Sequence, residues 1–416
     1  MIVDRIFTPG LAQVAYLVAD EAAGEVAVID PCRDADVYIS WADQRHLRIT
    51  AILEMHVHAD FVSGARELEI RTGAPIYASR LGDQEFPHRP LDDGDQVKVG
   101  QLRLQAYFTP GHTPEHMAYL LYEGDGAASV ALFSGDALFV GDVGRPDLLG
   151  KDATERLSHQ LFETVTRRLA TLPDELIVYP GHTAGSACGK KIGEAPHTSI
   201  GQEKMDNYAF QEKERDAFVN TVMNDMPIPP AYYPVLKRVN TQDAVLIDEL
   251  MDPRAFDSNK VEELIGKGAL VVDTRDKADF GQGHIPGSLF AGFGPNFHTW
   301  MGWVAPYDRD IVLVTGDNGS VDEAVTALRQ IGLDRVVGYL DGGMKAWTGE
   351  TETLEQMTVG ELWQQLDKGL AVLDVRSDAE WRDDHIGGAR HLFAGEIAQG
   401  TVPPDSLGPD RRTAVI

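Results

Sequence analysis

Four short segments in the first 182 residues carry side chains able to hold a metal ion. They are His56-Val57-His58-Ala59-Asp60, Gly111-His112-Thr113, Gly135-Asp136 and Gly181-His182-Thr183. Imidazole nitrogens and carboxylate oxygens are ligands of zinc and of ferrous iron. Each segment directly follows an apolar, β-rich run: AILEM, LQAYFTP, SVALFS and ELIVYP. Loops at strand ends can aim side chains at a shared point, and a small residue beside each ligand lets backbones approach closely. One Gly-His after a strand is an ordinary turn. Four such segments in this order point to a metal centre.

The elements that must position these groups alternate along the chain. MIVDRIF, AQVAYLVAD and EVAVID read as a meander of strands split by Gly-containing turns. Residues 34–46 then read as a helix and Ile49–His56 as a buried strand. A helix at about 152–171 separates the last two ligand-bearing strands. Two groups of strands interleaved with helices imply a layered α/β or α+β domain. NDMPIPPAYYPVL, residues 224–236, is Pro-rich and is expected to lack regular structure. The first domain is expected to end after this arm, at residue 240.

Length and charge narrow the partners. At roughly 150 residues per domain, 416 residues imply two to three domains. With 37 Lys+Arg against 65 Asp+Glu the formal charge is −28, which argues against nucleic acid and anionic membranes as partners. Two cysteines, Cys32 and Cys188, make no disulfide framework, so a reducing compartment is expected. The N-terminus shows no signal-peptide pattern and no apolar run approaches 18 residues. The expectation is a cytoplasmic protein, with no membrane contact.

The remainder repeats itself. LVVDTRDKADFGQGHIPGS (270–288) aligns with AVLDVRSDAEWRDDHIGGA (371–389) at an offset of 101. Asp273, Arg275, Phe280 and His284 match Asp374, Arg376, Trp381 and His385. That period is too long for a solenoid unit and signals a duplicated domain. Each copy reads helix, buried strand ending in Asp-x-Arg, helix, then His-Ile-x-Gly: a small parallel α/β unit.

The four ligand segments together resemble the metallo-β-lactamase family, which includes hydroxyacylglutathione hydrolases. The resemblance covers about residues 1–240 and implies an αββα sandwich of α/β class. The family motif normally continues with a second-metal histidine directly after the aspartate, where this chain has Phe61. A phenyl ring cannot ligate a metal, so one metal per chain is the simpler expectation. The persulfide dioxygenase branch of the family is mononuclear, and its iron ligands correspond to His56, His112 and Asp136. Two imidazoles and a carboxylate with open positions also suit non-haem Fe(II) oxygenases. The resemblance then implies one Fe(2+) per chain, with His58, Asp60 and His182 orienting ligands and bound water from behind.

Arg145, within Asp142-Val143-Gly144-Arg145-Pro146-Asp147, could pair with a substrate carboxylate or sulfur-oxygen anion, or form a salt bridge with Asp142 or Asp147. Cys188, six residues past His182, is either a thiol serving the reaction or a small buried hydrophobe. Cys32 reads as structural. His116 and Tyr119 could wall the substrate or simply pack.

The duplicated units resemble rhodanese. They divide the rest into a rhodanese-like domain at 241–352 and the N-terminal part of a second at 353–416. In rhodanese a catalytic cysteine opens the loop after the next buried strand, here Ile311–Val314. This loop, Thr315-Gly316-Asp317-Asn318-Gly319-Ser320, contains no cysteine, so the first copy reads as a scaffold or docking module. In the second copy Asp410–Ile416 matches Asp308–Val314, and the chain stops one residue before the cysteine position; continuation of the natural protein is expected. Taken together, the resemblance implies a persulfide dioxygenase fused to rhodanese repeats, acting on a low-molecular-weight, glutathione-like persulfide and O₂, and a homo-oligomer. The alternatives are a zinc-dependent thioester hydrolase and a non-enzymatic sulfur carrier.

Overall fold

The computed structural model describes residues 1–126, 128–403, 407 and 412–416. They divide into two compact units, Met1–Glu249 with Gln330–Gly332, and Leu250–Arg329 with Leu333–Ile416.

The first unit contains two six-stranded sheets. One runs in chain order through β1 (Ile2–Thr8), β2 (Gln13–Asp20), β3 (Glu25–Ile29), β4 (Arg48–Leu53), β5 (Ile76–Ser79) and β6 (Arg89–Leu91). The other comprises β7 (Gln96–Val99), β8 (Leu102–Phe108), β9 (Met117–Glu123), β10 (Ser129–Gly135), β11 (Ile177–Pro180) and β12 (Thr198–Ser199). The meander pairs antiparallel, with Leu17 opposite Asp4 and Val28, whereas β3, β4, β5 and β6 pair in parallel.

Strand β2 shows why the sheets stack. All of its residues are buried, and successive side chains point to opposite faces. Val14, Tyr16 and Val18 enter the core between the sheets with Val97, Leu104 and Phe133. Ala15, Leu17 and Ala19 pack with Tyr38 and Trp41 of α1 (Ala35–Gln44) and Leu68 of α2 (Ala65–Thr72). The second sheet buries Leu120, Leu132 and Val178 against Leu161 and Phe162 of α3 (Lys151–Glu163). Short helices α4 (Ile200–Asp206), α5 (Tyr208–Gln211) and α6 (Arg215–Met223) extend that layer, and α7 (Tyr233–Thr241) follows. Helices outside two stacked sheets are the αββα sandwich.

Several boundaries differ from the sequence reading. The strand expected to reach His56 ends at Leu53, because the Met55 N–H leaves the ladder and donates to the Asp30 carboxylate at 2.8 Å. The helix expected to 171 becomes a π-helix over Thr164–Arg168 and a 3₁₀ turn over Leu169–Thr171. The Pro-rich arm is not irregular throughout: α7 begins inside it at Tyr233, with Pro234 in the first turn, where a missing N–H costs nothing.

The second unit carries a parallel sheet in the order β13-β17-β16-β14-β15, comprising β13 (Arg254–Phe256), β14 (Leu270–Asp273), β15 (Leu289–Phe290), β16 (Ile311–Val314) and β17 (Val336–Leu340). A smaller parallel sheet holds β18 (Ala371–Asp374), β19 (Arg390–His391) and β20 (Thr413–Val415). The internal repeat is visible in its contacts. Arg275 donates to Asp273 and to the Gly283 carbonyl, and Arg376 donates to Asp374 and to the Asp384 carbonyl. His284 stacks on Phe280 at 3.9 Å and His385 on Trp381 at 3.7 Å. β20 pairs with β18 as β16 pairs with β14. Asp410 and Arg411 of the aligned segment lie outside the described residues. Among the described residues no helix is long and apolar enough to cross a membrane.

Candidate metal centre

The four segments converge at one rim of the sandwich. The structure brings the ligand atoms of His56, His112 and Asp136 within 4.8 Å of one another, all buried. Two further sets meet the same limit: Asp30 with His56 and His58, and Asp60 with His182 and Cys188. Glycines permit the approach. A Cβ at Gly144 would stand 1.9 Å from the Asp136 carbonyl oxygen, and one at Gly181 would stand 2.8 Å from Asp136 Oδ1.

Hydrogen bonds fix the protonation of His112. Its Nδ1–H donates to the Arg145 carbonyl at 2.9 Å, so Nε2 carries the lone pair. That lone pair faces Asp136 Oδ2 at 3.4 Å, and Oδ2 has no hydrogen-bond partner. Neither nitrogen of His56 has a partner, and burial, followed by neighbouring imidazoles, drives its pKa well below the ordinary value. A neutral His56 and two acceptors turned towards each other lack only a cation. Buried polar atoms without partners are costly, so these residues fit a metal ion.

The surrounding groups hold the ligands in place. His182 bridges two carboxylates, Nδ1 to Asp136 Oδ1 at 2.8 Å and Nε2 to Asp60 Oδ2 at 2.7 Å. Burial opposes its charging, but Asp136 and Asp60 outweigh burial and raise its pKa well above the ordinary value. The Asp136 pKa shifts the other way, held down by His182 and His112 against the effect of burial. His58 lies 3.2 Å from Asp30 Oδ1, too poorly aligned for a hydrogen bond. Burial works against protonation of His58, yet Asp30 and Glu54 raise its pKa to about 9. Phe61 is fully buried and packs on the His58 ring at 4.3 Å.

Arg145 is wholly buried and committed. It donates bidentately to Asp147, at 2.7 and 2.9 Å, and to the Ala187 and Pro227 carbonyls. The sequence allowed a substrate-facing cation or a salt bridge with Asp147; the guanidinium makes the salt bridge. Cys188 is buried beside Asp60 and His182, and burial, with Asp60 and Asp136, pushes its thiol well above the usual range. Cys32 pairs with Ser63 in an isolated antiparallel bridge and is buried, its thiol pushed up to about 12 by burial. His116 links Thr109 to the Asp136 N–H, and Tyr119 donates to the Glu54 carbonyl. Both side chains are fully buried.

Three site residues escaped the sequence reading. Asp30, at φ 48°, accepts from Met55 and faces His58. Glu115 accepts from the Val57 N–H at 3.0 Å. Asn240 of α7 donates to the His58 and Phe61 carbonyls and accepts from the Ser63 N–H. Together they pin both ends of the His56–Asp60 loop.

The metallo-beta-lactamase superfamily matches residues 8–182, and the rhodanese-like domain matches residues 257–350 and 358–414. Over 273 residues the chain is 31% identical to a "Probable metallo-hydrolase" of Burkholderia pseudomallei, covering 55% of this chain and 89% of that protein. The chain belongs to the metallo-β-lactamase superfamily, and rhodanese-like domains follow in the same chain. It is 36% identical over 169 residues to the hydroxyacylglutathione hydrolase of Maricaulis maris, covering 40% of this chain and 60% of that enzyme. It is 30% identical over 185 residues to the human mitochondrial persulfide dioxygenase ETHE1, covering 43% of this chain and 66% of that enzyme. Among solved structures, a metallo-β-lactamase from Staphylococcus aureus superposes with a TM-score of 0.74 at 35% identity, covering 81% of this chain and 98% of that chain. ETHE1 from Myxococcus xanthus gives 0.51 at 32% identity, covering 58% and 98%.

Proposed function

We propose that the first unit is a persulfide dioxygenase holding one Fe(2+) through His56, His112 and Asp136. The reaction converts a glutathione-like persulfide, O₂ and water to the thiol, sulfite and two protons. The observation that carries this reading is the buried two-histidine, one-carboxylate set with unpartnered donor atoms. Phe61 beside it offers no further ligand. Likeness to the two ETHE1 proteins supports it. Ferrous iron held by His56, His112 and Asp136 would bind the persulfide sulfur and O₂ and would relay electrons from sulfur to O₂.

The chain's own groups do the positioning. The Arg145 carbonyl fixes the His112 tautomer, and His182 fixes the Asp136 carboxylate by holding Oδ1 and leaving Oδ2 free. Anaerobically purified protein is expected to contain one iron per chain and to consume O₂ with glutathione persulfide. A second reading, a zinc-dependent hydrolase of glutathione thioesters, is favoured by the likeness to hydroxyacylglutathione hydrolases, and turnover of S-lactoylglutathione without O₂ uptake would establish it.

The first rhodanese-like domain reads as a docking or scaffold module. In the loop after β16 the Asp317 carboxylate accepts from the Gly319 and Ser320 N–H groups, which leaves those amides engaged.

A further inference from the structure

A hollow of about 470 Å³ lies beside α3 in the first unit, and none of the metal-holding residues lines it. Its wall carries four arginines in a chain whose formal charge is −28. α3 supplies Arg156, the π-helical turn Thr164–Arg168 supplies Arg167 and Arg168, and α6 supplies Arg215 as its first residue. Thr164 anchors that turn, its Oγ1 donating to the Pro110 carbonyl at 2.6 Å. Arg167 pairs with Glu163 at 2.8 Å. Arg168 pairs with Asp93 at 2.8 Å, its guanidinium 4.3 Å from the centre of the Tyr107 ring. The side chains of Arg156 and Arg215 have no hydrogen-bond or ion-pair partner among the described residues. Like charges gathered without counter-ions repel, so two guanidiniums are left over for an anion. The rest of the wall is less polar. Phe108 and Pro110 add apolar surface, and Gln160 Oε1 is buried without a partner. The volume falls within the range of about 300–1,000 Å³ usual for small-molecule sites, larger than a bare phosphate needs.

We propose that this hollow binds a phosphate monoester of nucleotide size. The charges balance: a phosphate monoester carries about two negative charges at neutral pH, and two guanidiniums stand unpaired. A guanidinium presents its N–H groups as a fork that matches phosphate oxygens bidentately. Arg156 and Arg215 take the phosphate from two different helices, and Phe108 and Pro110 cover the apolar part of the ligand. The Gln160 amide, with no partner of its own, takes a polar group of that part. The site stands apart from His56, His112 and Asp136, and it does not rest on the dioxygenase reading.

The test is anaerobic calorimetric titration of the metal-loaded full chain with AMP, adenosine and inorganic phosphate. AMP is expected to saturate one site, adenosine to give no heat of binding, and inorganic phosphate to bind more weakly than AMP. In the Arg156→Gln, Arg215→Gln double variant the affinity for AMP should fall by roughly 10–100-fold. Both side chains are exposed and unpaired, so metal content and melting temperature should match the wild type. His56→Ala should bind AMP as the wild type does. Absence of saturable AMP binding overturns the proposal, as does an affinity unchanged in the double variant or equal affinities for AMP and inorganic phosphate. AMP binding that is lost in His56→Ala and kept in the double variant puts the phosphate on the metal and overturns it too. O₂ uptake by the iron-loaded chain tests the dioxygenase reading separately.

Discussion

Asn240 holds the carbonyl of Phe61 at 2.7 Å, across 179 residues of chain. The same amide nitrogen reaches the His58 carbonyl, so one side chain from α7 closes the loop that carries His56, His58 and Asp60. Asn240→Ala strips partners from two buried carbonyls and the Ser63 N–H. The expected cost is about 1–3 kcal/mol of stability, read by chemical denaturation of the metal-free chain. Metal retention during dialysis against a chelator should fall in parallel; unchanged retention would make Asn240 a packing group only.

His112 and His182 should separate on substitution. His112→Ala removes the lone pair facing Asp136 Oδ2 and should abolish both iron content and O₂ uptake. His182→Ala removes a group that orients Asp136, and affinity for iron should weaken by roughly 10–100-fold rather than vanish. Equal iron loss in the two variants would show His182 to be a direct ligand.

Arg145→Met should destabilise the first unit by about 3–5 kcal/mol, because it leaves Asp147 and two carbonyls without their cation. The same change frees the loop that carries Cys188. Alkylation of Cys188 by a small thiol reagent, followed by mass spectrometry, should become faster than in the wild type. A rate matching the wild type would show that Asp142 and the backbone N–H of residue 145, which bonds the Cys188 carbonyl, suffice to hold the loop.

No thiocyanate is expected from thiosulfate and cyanide with this 416-residue chain. The loop after β16 has no cysteine, and its amides at Gly319 and Ser320 are taken by Asp317. Turnover that persists in the Cys32→Ser, Cys188→Ser double variant would contradict the reading of the repeat.

The Asp374 carboxylate, buried at the end of β18, is held below the usual range by hydrogen bonds from Arg376. A depressed folded pKa contributes stability above the ordinary carboxylate pKa of about 4 and loses it as pH falls through the folded value. Protection of the β18 amides, corrected for the intrinsic exchange rate at each pH, should therefore fall on acidification below that point. Asp374→Asn should flatten this dependence; an unaltered acid limb would assign it to other groups.

What the sequence made legible and what it hid have a common cause. The ligand loops were readable because His-x-His-x-Asp and the Gly-flanked His and Asp follow apolar runs, a local signal. The repeat was readable for the same reason: Asp-x-Arg and the aromatic-histidine stack are local contacts. Asp30, Glu115 and Asn240 were not, since each acts on a backbone group brought near only by folding. Asp30 sits in an Asp-Pro-Cys turn where Cys32 draws the eye, although only its carboxylate reaches the site. The short strands β5, β6 and β7 also went unread; β6 is three residues long and contains Pro90. Arg145 shows a third case, in which composition left two partners open and packing chose Asp147.

The division of the ligands between the two sheets also governs how the protein is made. His56 leaves the sheet that ends with β6, while His112 and Asp136 leave strands of the sheet that begins with β7. A nascent chain ending at β7 offers a metal ion His56, His58 and Asp60, but neither His112 nor Asp136. The set of His56, His112 and Asp136 is therefore complete only once both sheets have closed face to face. A site assembled that late selects its ion by the spacing and chemistry of its donors, whatever the order in which they emerge during synthesis.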